Sequence, residues 1–558
     1  MSFVRWKFNR MLAVATVVMA VNYVVMLSGS VIVGNLVGPD GLAGLNVCTP
    51  VFGAASFLAS ILSVGTGLVF SRAMGAFDAR RAAGVFSQSM LLAAGIGALI
   101  YATMTAGESI FLDVTGVTGA VREQAEGYWR WQAVALALLP AVLTMEALVF
   151  ADGDGTVATL AGAVHVSGVV GLSVFLTNRL GHAGGVSLGT ALAMVGVLAV
   201  CCLHFLRQDN HLRPVCSFSA ADLRETVAAS LADSTIYLCW GALIFVVNRF
   251  ALLQYGQYLL PVVALAASVV EFSIVFDGVG EAIIPLGGMY DGEGNRPALR
   301  TLANHSALVA TLEGLVCGIV SFAFAPTLAQ GYGFDPADIK IFETATDAIR
   351  ILAFAMPFMG LLMMMNTHYL VVHHIPFAVS VTVMKDFVCP CAGVLLLGWP
   401  GSHWGQWIWV GFTAGYLVAA AYPFLFVLLR HGRGLFPWLI ERDDGRSANF
   451  AVRLSGRVRG GLRERVGTFV AGCGVSREIV AQVAERISAE EERARASLPS
   501  AVWIETFVSV GASGDVRLVI RDTGLRPSSD AAATRVLNTL SCNRAEYRFG
   551  LRGELQAR

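Results

Sequence analysis

The sequence predicts an all-α polytopic membrane protein, with twelve transmembrane helices in two six-helix lobes and a small cytoplasmic α/β domain after the last span. Three observations carry this: an apolar composition, the regular recurrence of long apolar runs, and a glycine pattern that occurs twice. Of 558 residues, 56% are apolar and only 14% are charged, and mean hydropathy is +0.65. A soluble chain with this balance lacks the polar surface to cover its core.

Apolar runs occupy roughly residues 11–36, 43–72, 83–105, 129–151, 156–177 and 186–206, then 226–252, 258–287, 301–327, 346–371, 376–398 and 405–430. About 20 residues at 1.5 Å rise cross the hydrocarbon core of a bilayer. Backbone polar groups must be satisfied within each span, so these runs read as helices. They are too long for strands and lack strict alternation. The first run has no small-residue cleavage site after a short apolar region, so it reads as an anchor rather than a signal peptide.

Gly65-Thr66-Gly67, Gly75 and Asp78 close the second span. Gly278-Val279-Gly280, Gly288 and Asp291 close the eighth with the same internal spacing, 213 residues later. An Arg-containing helical stretch follows each, Arg80-Arg81 and then Asn295-Arg296. Glycine is common here, 59 residues in all, so the shared setting matters more than the letters. An internal duplication in a membrane chain predicts a transporter with its site between the halves. The halves are 1–219 and 220–436. Six spans per half is an even number, so both enter with one orientation and the pseudo-axis runs along the membrane normal.

Arg72, Arg80, Arg81, Arg207, Arg213, Arg224, Arg296, Arg300, Arg430 and Arg433 fall in loops on the side of the N-terminal Arg5, Lys7 and Arg10. Most of the opposite loops are acidic or neutral, that between spans 5 and 6 carrying Arg179. This bias places both termini in the cytoplasm, with the chain in the membrane that bounds it. The ten cysteines form no framework and no metal spacing, so no metal site is expected. A net charge of +0 gives no footprint for nucleic acid.

At several points the sequence resembles the multidrug and toxic compound extrusion (MATE) transporters. The segment from Ser30 to Asn46, with Gly34, Gly38 and Pro39, is similar to their helix 1–2 junction. The stretch from Gly65 to Asp78 resembles the end of their helix 2. Phe150-Ala151-Asp152-Gly153 resembles their helix 4–5 turn, and Gly278 to Asn295 the matching loop of the second half. The resemblance covers about residues 8–432. It implies two lobes around a central cavity open alternately to each side. It also implies export of organic cations or amphipathic drugs, driven by Na⁺ or H⁺. The N-lobe ion site does not carry over. Gly29 stands where many relatives have an Asp, Ser167 and Gly171 stand where one branch has Asn and Asp, and the neighbourhood of Trp240 is where another branch has a Glu.

Cation exchange needs a carboxylate in a low-dielectric setting, so intramembrane acids are the candidates. Span 8 carries Glu271, Asp277 and Glu281. The last two are four apart and share a helix face. Glu271 is roughly 20 Å along its helix from the outer end, near the midplane. Asp233 on span 7 is the fourth candidate, with Glu146 and Glu313 behind it. Lys385-Asp386 reads as a buried structural pair. His165, His204, His368, His373 and His374 read as structural, and Met363-Met364-Met365 as lipid-facing or packing. Asn366, Asn248 and Ser28 are secondary polar candidates for the cavity.

After Arg433 the composition becomes that of a soluble domain over 445–558. It reads as a strand near 450–454, helices near 457–472 and 476–496, and strands near 502–509, 515–521 and 545–549. This order resembles the ATP-binding fold of histidine kinases and anti-sigma serine kinases. Asp522 and Gly524 resemble the strand end that contacts adenine, and Tyr547 to Leu551 a later glycine box. The Asn that holds Mg²⁺ and the glycine-rich lid are absent, so phosphoryl transfer is not expected. The domain reads as a regulatory module, a candidate platform for a cytoplasmic protein partner.

The expected function is therefore a secondary exporter rather than an enzyme. No cofactor is expected beyond Na⁺ or H⁺ as coupling ion, and the partners are a small organic cation or amphipathic substrate and membrane lipid. Two other readings are a flippase for a lipid-linked precursor and a membrane sensor signalling through the tail. A flippase must neutralise pyrophosphate, and intramembrane acids here outnumber Arg249 and Lys385.

Overall fold

The computed structural model describes residues 2–115, 118–207, 210–255, 259–332, 334–398, 406–441, 445–454, 461–496, 502–523, 535–539 and 542–549. The first lobe holds α1 (Phe3–Leu36), α2 (Pro39–Ser60), α3 (Ser63–Gly75), α4 (Ala79–Thr115), α5 (Gly119–Ala151), α6 (Gly155–Leu180) and α7 (Gly184–Cys201). The second holds α8 (Ala220–Tyr255), α9 (Leu260–Glu271), α10 (Asp277–Glu293), α11 (Arg296–Ala323), the short α12 (Ala325–Gly331), α13 (Ile339–Ala353), α14 (Met356–Val371), α15 (Ile375–Val383), α16 (Cys389–Leu397) and α17 (Gln406–Leu435). Among the described residues, eleven helices are long and apolar enough to cross a membrane. They become twelve when α13 and α14, bent by 45°, count as one span.

Several spans are broken. The second is interrupted between α2 and α3. The eighth passes through a 3₁₀ segment, Phe272–Phe276, between α9 and α10, and the eleventh through a π-helical turn, Met384–Val388. Such departures from regular helix often mark functional sites. Helix ends follow local chemistry. Asp78 Oδ1 accepts from Arg81 N at 2.9 Å to start α4, and Asn295 Oδ1 accepts from Ala298 N at 3.1 Å to start α11. Gly181 and Gly294 end α6 and α10 in the left-handed conformation.

Buried apolar clusters largely follow the two halves, although Leu68 of α3 and one end of α1 join the core of the second lobe. Val4, Phe8 and Met11 of α1 join the core of the second lobe, while Ile32 and Val33 of the same helix join a core of the first. Span 1 therefore belongs to both. The linker after α7 lies on the first lobe. There His204 uses both ring nitrogens, at 2.9 Å to Asp152 and 3.0 Å to Asp154, and His211 Nδ1 lies 2.8 Å from Asp152. Burial pushes the Asp152 carboxyl up, but the hydrogen bonds to His204 and His211 outweigh it and hold it below its usual range.

Most of the repeated glycines are where the halves touch, while Gly280 abuts Thr367 of its own lobe. A side chain at Gly65 would run into the Thr226 carbonyl of α8, the first span of the other half. A side chain at Gly278 would lie 2.9 Å from the Thr16 backbone of α1, the first span of its own opposite half. Gly75 abuts the Met289 carbonyl, and a Cβ at Gly288 would lie 2.8 Å from that of Ser71. Gly65→Leu is expected to destabilise the folded protein by about 1–3 kcal/mol through overpacking. Gly53→Ala, with open space beside it, is expected to leave melting unchanged or slightly raised; thermal melts of the two purified variants make the comparison.

The tail is a five-stranded antiparallel sheet of β1 (Ser447–Leu454), β2 (Val502–Val510), β3 (Val516–Asp522), β4 (Arg535–Thr539) and β5 (Cys542–Phe549), in the order β1-β2-β3-β5-β4. Helices α18 (Leu462–Gly472) and α19 (Arg477–Ala496) cover one face through Val466, Val470, Val483 and Ile487 against Ile504, Leu518 and Ile520. β4 is an addition to the sequence expectation. Residues 455–460, at the start of the first expected tail helix, lie outside the described residues, as do Gly524, Gly550 and Leu551.

Candidate functional site

A cavity of about 210 Å³ lies between the lobes. Span 1 contributes Val18, span 2 Ser63 and Gly67, and span 4 Glu146 and Phe150, while span 8 contributes Asp277 and Glu281. Each carboxylate is half-buried. Asp277 opens α10 directly after the 3₁₀ segment, and the helical spacing carries Glu281 to the same wall. Glu146 brings a third acid from the opposite lobe. No Lys or Arg lines this cavity among the described residues.

A second cavity, about 220 Å³, lies inside the second lobe. Tyr237, Ile274 and Asp277 line both cavities, so the two share a wall. The second is lined by Glu271, Trp240, Met359, Met363, Lys385 and Asp386, among others. Trp240 Nε1 donates to Glu271 Oε1 at 3.3 Å, which ties spans 7 and 8 at the position the resemblance aligns near a Glu of some relatives. Lys385 Nζ and Asp386 Oδ2 form a 2.6 Å pair with both side chains buried, placed by the π-helical turn of span 11. The pair expected to be structural thus also faces a cavity, and two of the three expected packing methionines, Met364 and Met365, are fully buried.

The structure brings Asp277 and Glu281 together in one cavity and Glu271 and Asp277 in its neighbour. The side chain of Asp233 lies outside the described residues. Glu313 accepts from Thr16 Oγ1 at 3.5 Å, away from both linings. Ser28 donates to Val25 O within its own helix, and Asn366 is buried, accepting from Thr382 Oγ1 at 3.1 Å.

Below the central cavity, at the end that carries the tail, the lobes are joined by charge. Arg72 of α3 has only 5% side-chain exposure. Its guanidinium pairs with Glu225 of α8, donates at 2.9 Å to Asp291 of α10, and donates to the Leu370 and Val371 carbonyls. Arg81 pairs with Asp222 at 2.6 Å, and His373 Nε2 lies 2.9 Å from Asp291. In the sequence Arg72 stands out only through the charge bias, and Arg81 through that bias and the repeat, with no partner indicated for either. Asp291, the repeat's own acidic mark, was the available signal.

In the tail, Asp522 is buried. Its carboxylate accepts from Asn543 Nδ2 at 2.9 Å and pairs with Arg493 of α19 at 2.9 Å. Glu490, Arg486 and Tyr547 continue this network. The space beside Asp522 on the helix face is thus met by side chains of the domain itself.

Two packed six-span lobes around a shared cavity define a multi-pass membrane transporter. The chain belongs to the MatE family, whose family model matches residues 15–176 and 235–381, over half of the sequence. Its fold is similar to that of a solved MATE in complex with MaL6, with a TM-score of 0.72 and 22% identity over 76% of this chain and 96% of that one. An outward-facing multidrug resistance MATE family transporter of the MOP superfamily matches with the same TM-score, identity and coverage. A MOP superfamily transporter from Pyrococcus furiosus, described as having a binding pocket of reverse polarity that suggests a different function, matches at 0.71 with 22% identity and the same coverage. At this identity the likeness carries the fold alone. No curated protein matches the sequence.

Proposed function

We propose that the protein is a secondary active exporter of organic cations or amphipathic molecules. It works by alternating access and is coupled to an inward Na⁺ or H⁺ gradient. The observation that carries this reading is the charge of the central cavity, where Glu146, Asp277 and Glu281 stand without a lining Lys or Arg among the described residues. In a low-dielectric setting an acidic wall favours a cation and disfavours an anion. Glu271 in the adjoining cavity is the proposed ion-binding partner, and Asp277 on the shared wall links ion and substrate. A lipid-linked pyrophosphate would need the opposite lining. In this reading both termini face the bacterial cytoplasm, and the tail is a regulatory module there.

The test is ethidium efflux from energised vesicles, with Na⁺ and pH gradients imposed separately. Glu271→Gln is expected to lower gradient-driven efflux more than Glu313→Gln, because Glu313 lies outside both cavities. Full activity in both variants would remove the span 8 site.

A further inference from the structure

We infer that the tail domain is a latch that holds the two lobes closed at its own end. The sheet face away from α18 and α19 carries a row of opposed residues, Glu505 on β2, Arg521 on β3 and Arg544 on β5. All three are almost completely buried, and they are buried against the membrane lobes. Alternation along each strand puts them on one face.

That face grips both copies of the repeated loop. On the second copy, Glu293 at the end of α10 pairs with Arg521 and, at 2.7 Å, with Arg544. Arg517 donates to the Glu293 carbonyl at 2.7 Å, and Tyr290 donates to Glu505 at 3.1 Å. On the first copy, Arg544 donates to the Met74 carbonyl at 2.6 Å and to that of Gly75. Its guanidinium carbon lies 3.7 Å from the centroid of the Phe77 ring. One side chain thus holds Glu293 of one lobe and the end of α3 in the other. Trp503 also packs on the start of span 1, the end that joins the second lobe's core, with ring centroids 6.0 Å from Trp6 and 6.3 Å from Phe3.

The attachments are unequal. The segment before the tail is fixed to the second lobe, where Trp438 Nε1 donates to Asn304 at 2.7 Å, His368 Nε2 lies 2.9 Å from the Trp438 carbonyl, and Tyr369 donates to the Pro437 carbonyl. The tail is carried by the second lobe and reaches across to the first. When α3 and α10 part, Arg544 cannot keep both partners. Every contact it makes to Met74, Gly75 and Phe77 therefore favours the closed arrangement.

The inference rests on the alternating-access reading, and a distance measurement tests it without reference to cargo. Nitroxide labels are placed at the exposed positions Arg80→Cys in the first lobe and Arg430→Cys in the second, with the exposed Cys202 and Cys216 replaced by Ser. The full chain is reconstituted in nanodiscs and label distances are recorded by pulsed spin resonance. The wild-type background is expected to give the short distance. Arg544→Met, which leaves Glu293 paired with Arg521, is expected to raise the ratio of long to short distances at least about fivefold, the lower end of coupling between sites. Phe77→Ala, a loop substitution that spares the buried charges, is expected to shift it in the same direction and decides alone if Arg544→Met does not fold. Wild-type distances in both, while Arg72→Met opens the lobes, would overturn the latch and leave alternating access standing. Short distances in all three would overturn both.

Discussion

Asp277→Asn is expected to cut gradient-driven transport at least about tenfold, the effect of about 1.4 kcal/mol on the rate-limiting barrier, while leaving the protein folded. The side chain belongs to both cavity walls, so removing its charge weakens the ion site and the substrate chamber together. The amide keeps the shape and much of the hydrogen bonding of the carboxylate, which separates loss of charge from loss of packing. Glu281→Gln, which faces only the central cavity, is expected to impair substrate binding more than ion dependence. Ion-concentration dependence of efflux, measured for both variants beside thermal melting, distinguishes the two. Normal Na⁺ and pH dependence with unchanged rates in Asp277→Asn would remove Asp277 from the mechanism.

Arg72→Met is expected to produce the largest shift in lobe arrangement. The side chain joins α3 to α8 and α10 and to the end of α14, so its loss frees two carbonyls and takes the main partner from two carboxylates, leaving Asp291 with His373 at 2.9 Å and Glu225 with Arg81 at 3.6 Å. Removing one member of a buried ion pair costs about 3–5 kcal/mol. The lower end applies, because Glu225 and Asp291 keep 23% and 20% of their side-chain exposure. The expected outcome is a shift of the lobes toward the state open at the tail end. Arg72→Lys keeps the charge but offers a compact ammonium in place of a planar fork, so it is expected to restore less than half of the effect. Label distances between the lobes read the outcome, and closed distances in Arg72→Met beside open ones in Arg544→Met would show that the tail and the glycine contacts hold the lobes without it.

The spans were legible because hydropathy and length are the bilayer's own demands, and the duplication because Gly65, Gly75, Gly278 and Gly288 keep their spacing. The breaks in spans 2 and 8 were not. Ser60 to Ser63 and Phe272 to Phe276 carry no proline, and their departures depend on what packs around them. The shared face of Asp277 and Glu281 followed from helical periodicity alone. That Glu146 would join them, and that Lys385-Asp386 would face Glu271's cavity, depends on how spans far apart in sequence cross. The tail's strands were largely visible from alternating apolar residues. Its docking was not, because Arg521 and Arg544 resemble ordinary surface charges until Glu293, more than 200 residues earlier, is placed against them.

The crossing of α3 and α10 couples the ancestry of the two repeats. Most positions in the halves can drift apart freely, since each packs against its own neighbours. At Gly75 and Gly288 each copy presses on the backbone or side chains of the other, so a larger residue arising in one demands an accommodating change in its twin. Sequence divergence between the copies should therefore be slowest at this crossing, even where both have lost every other mark of common descent.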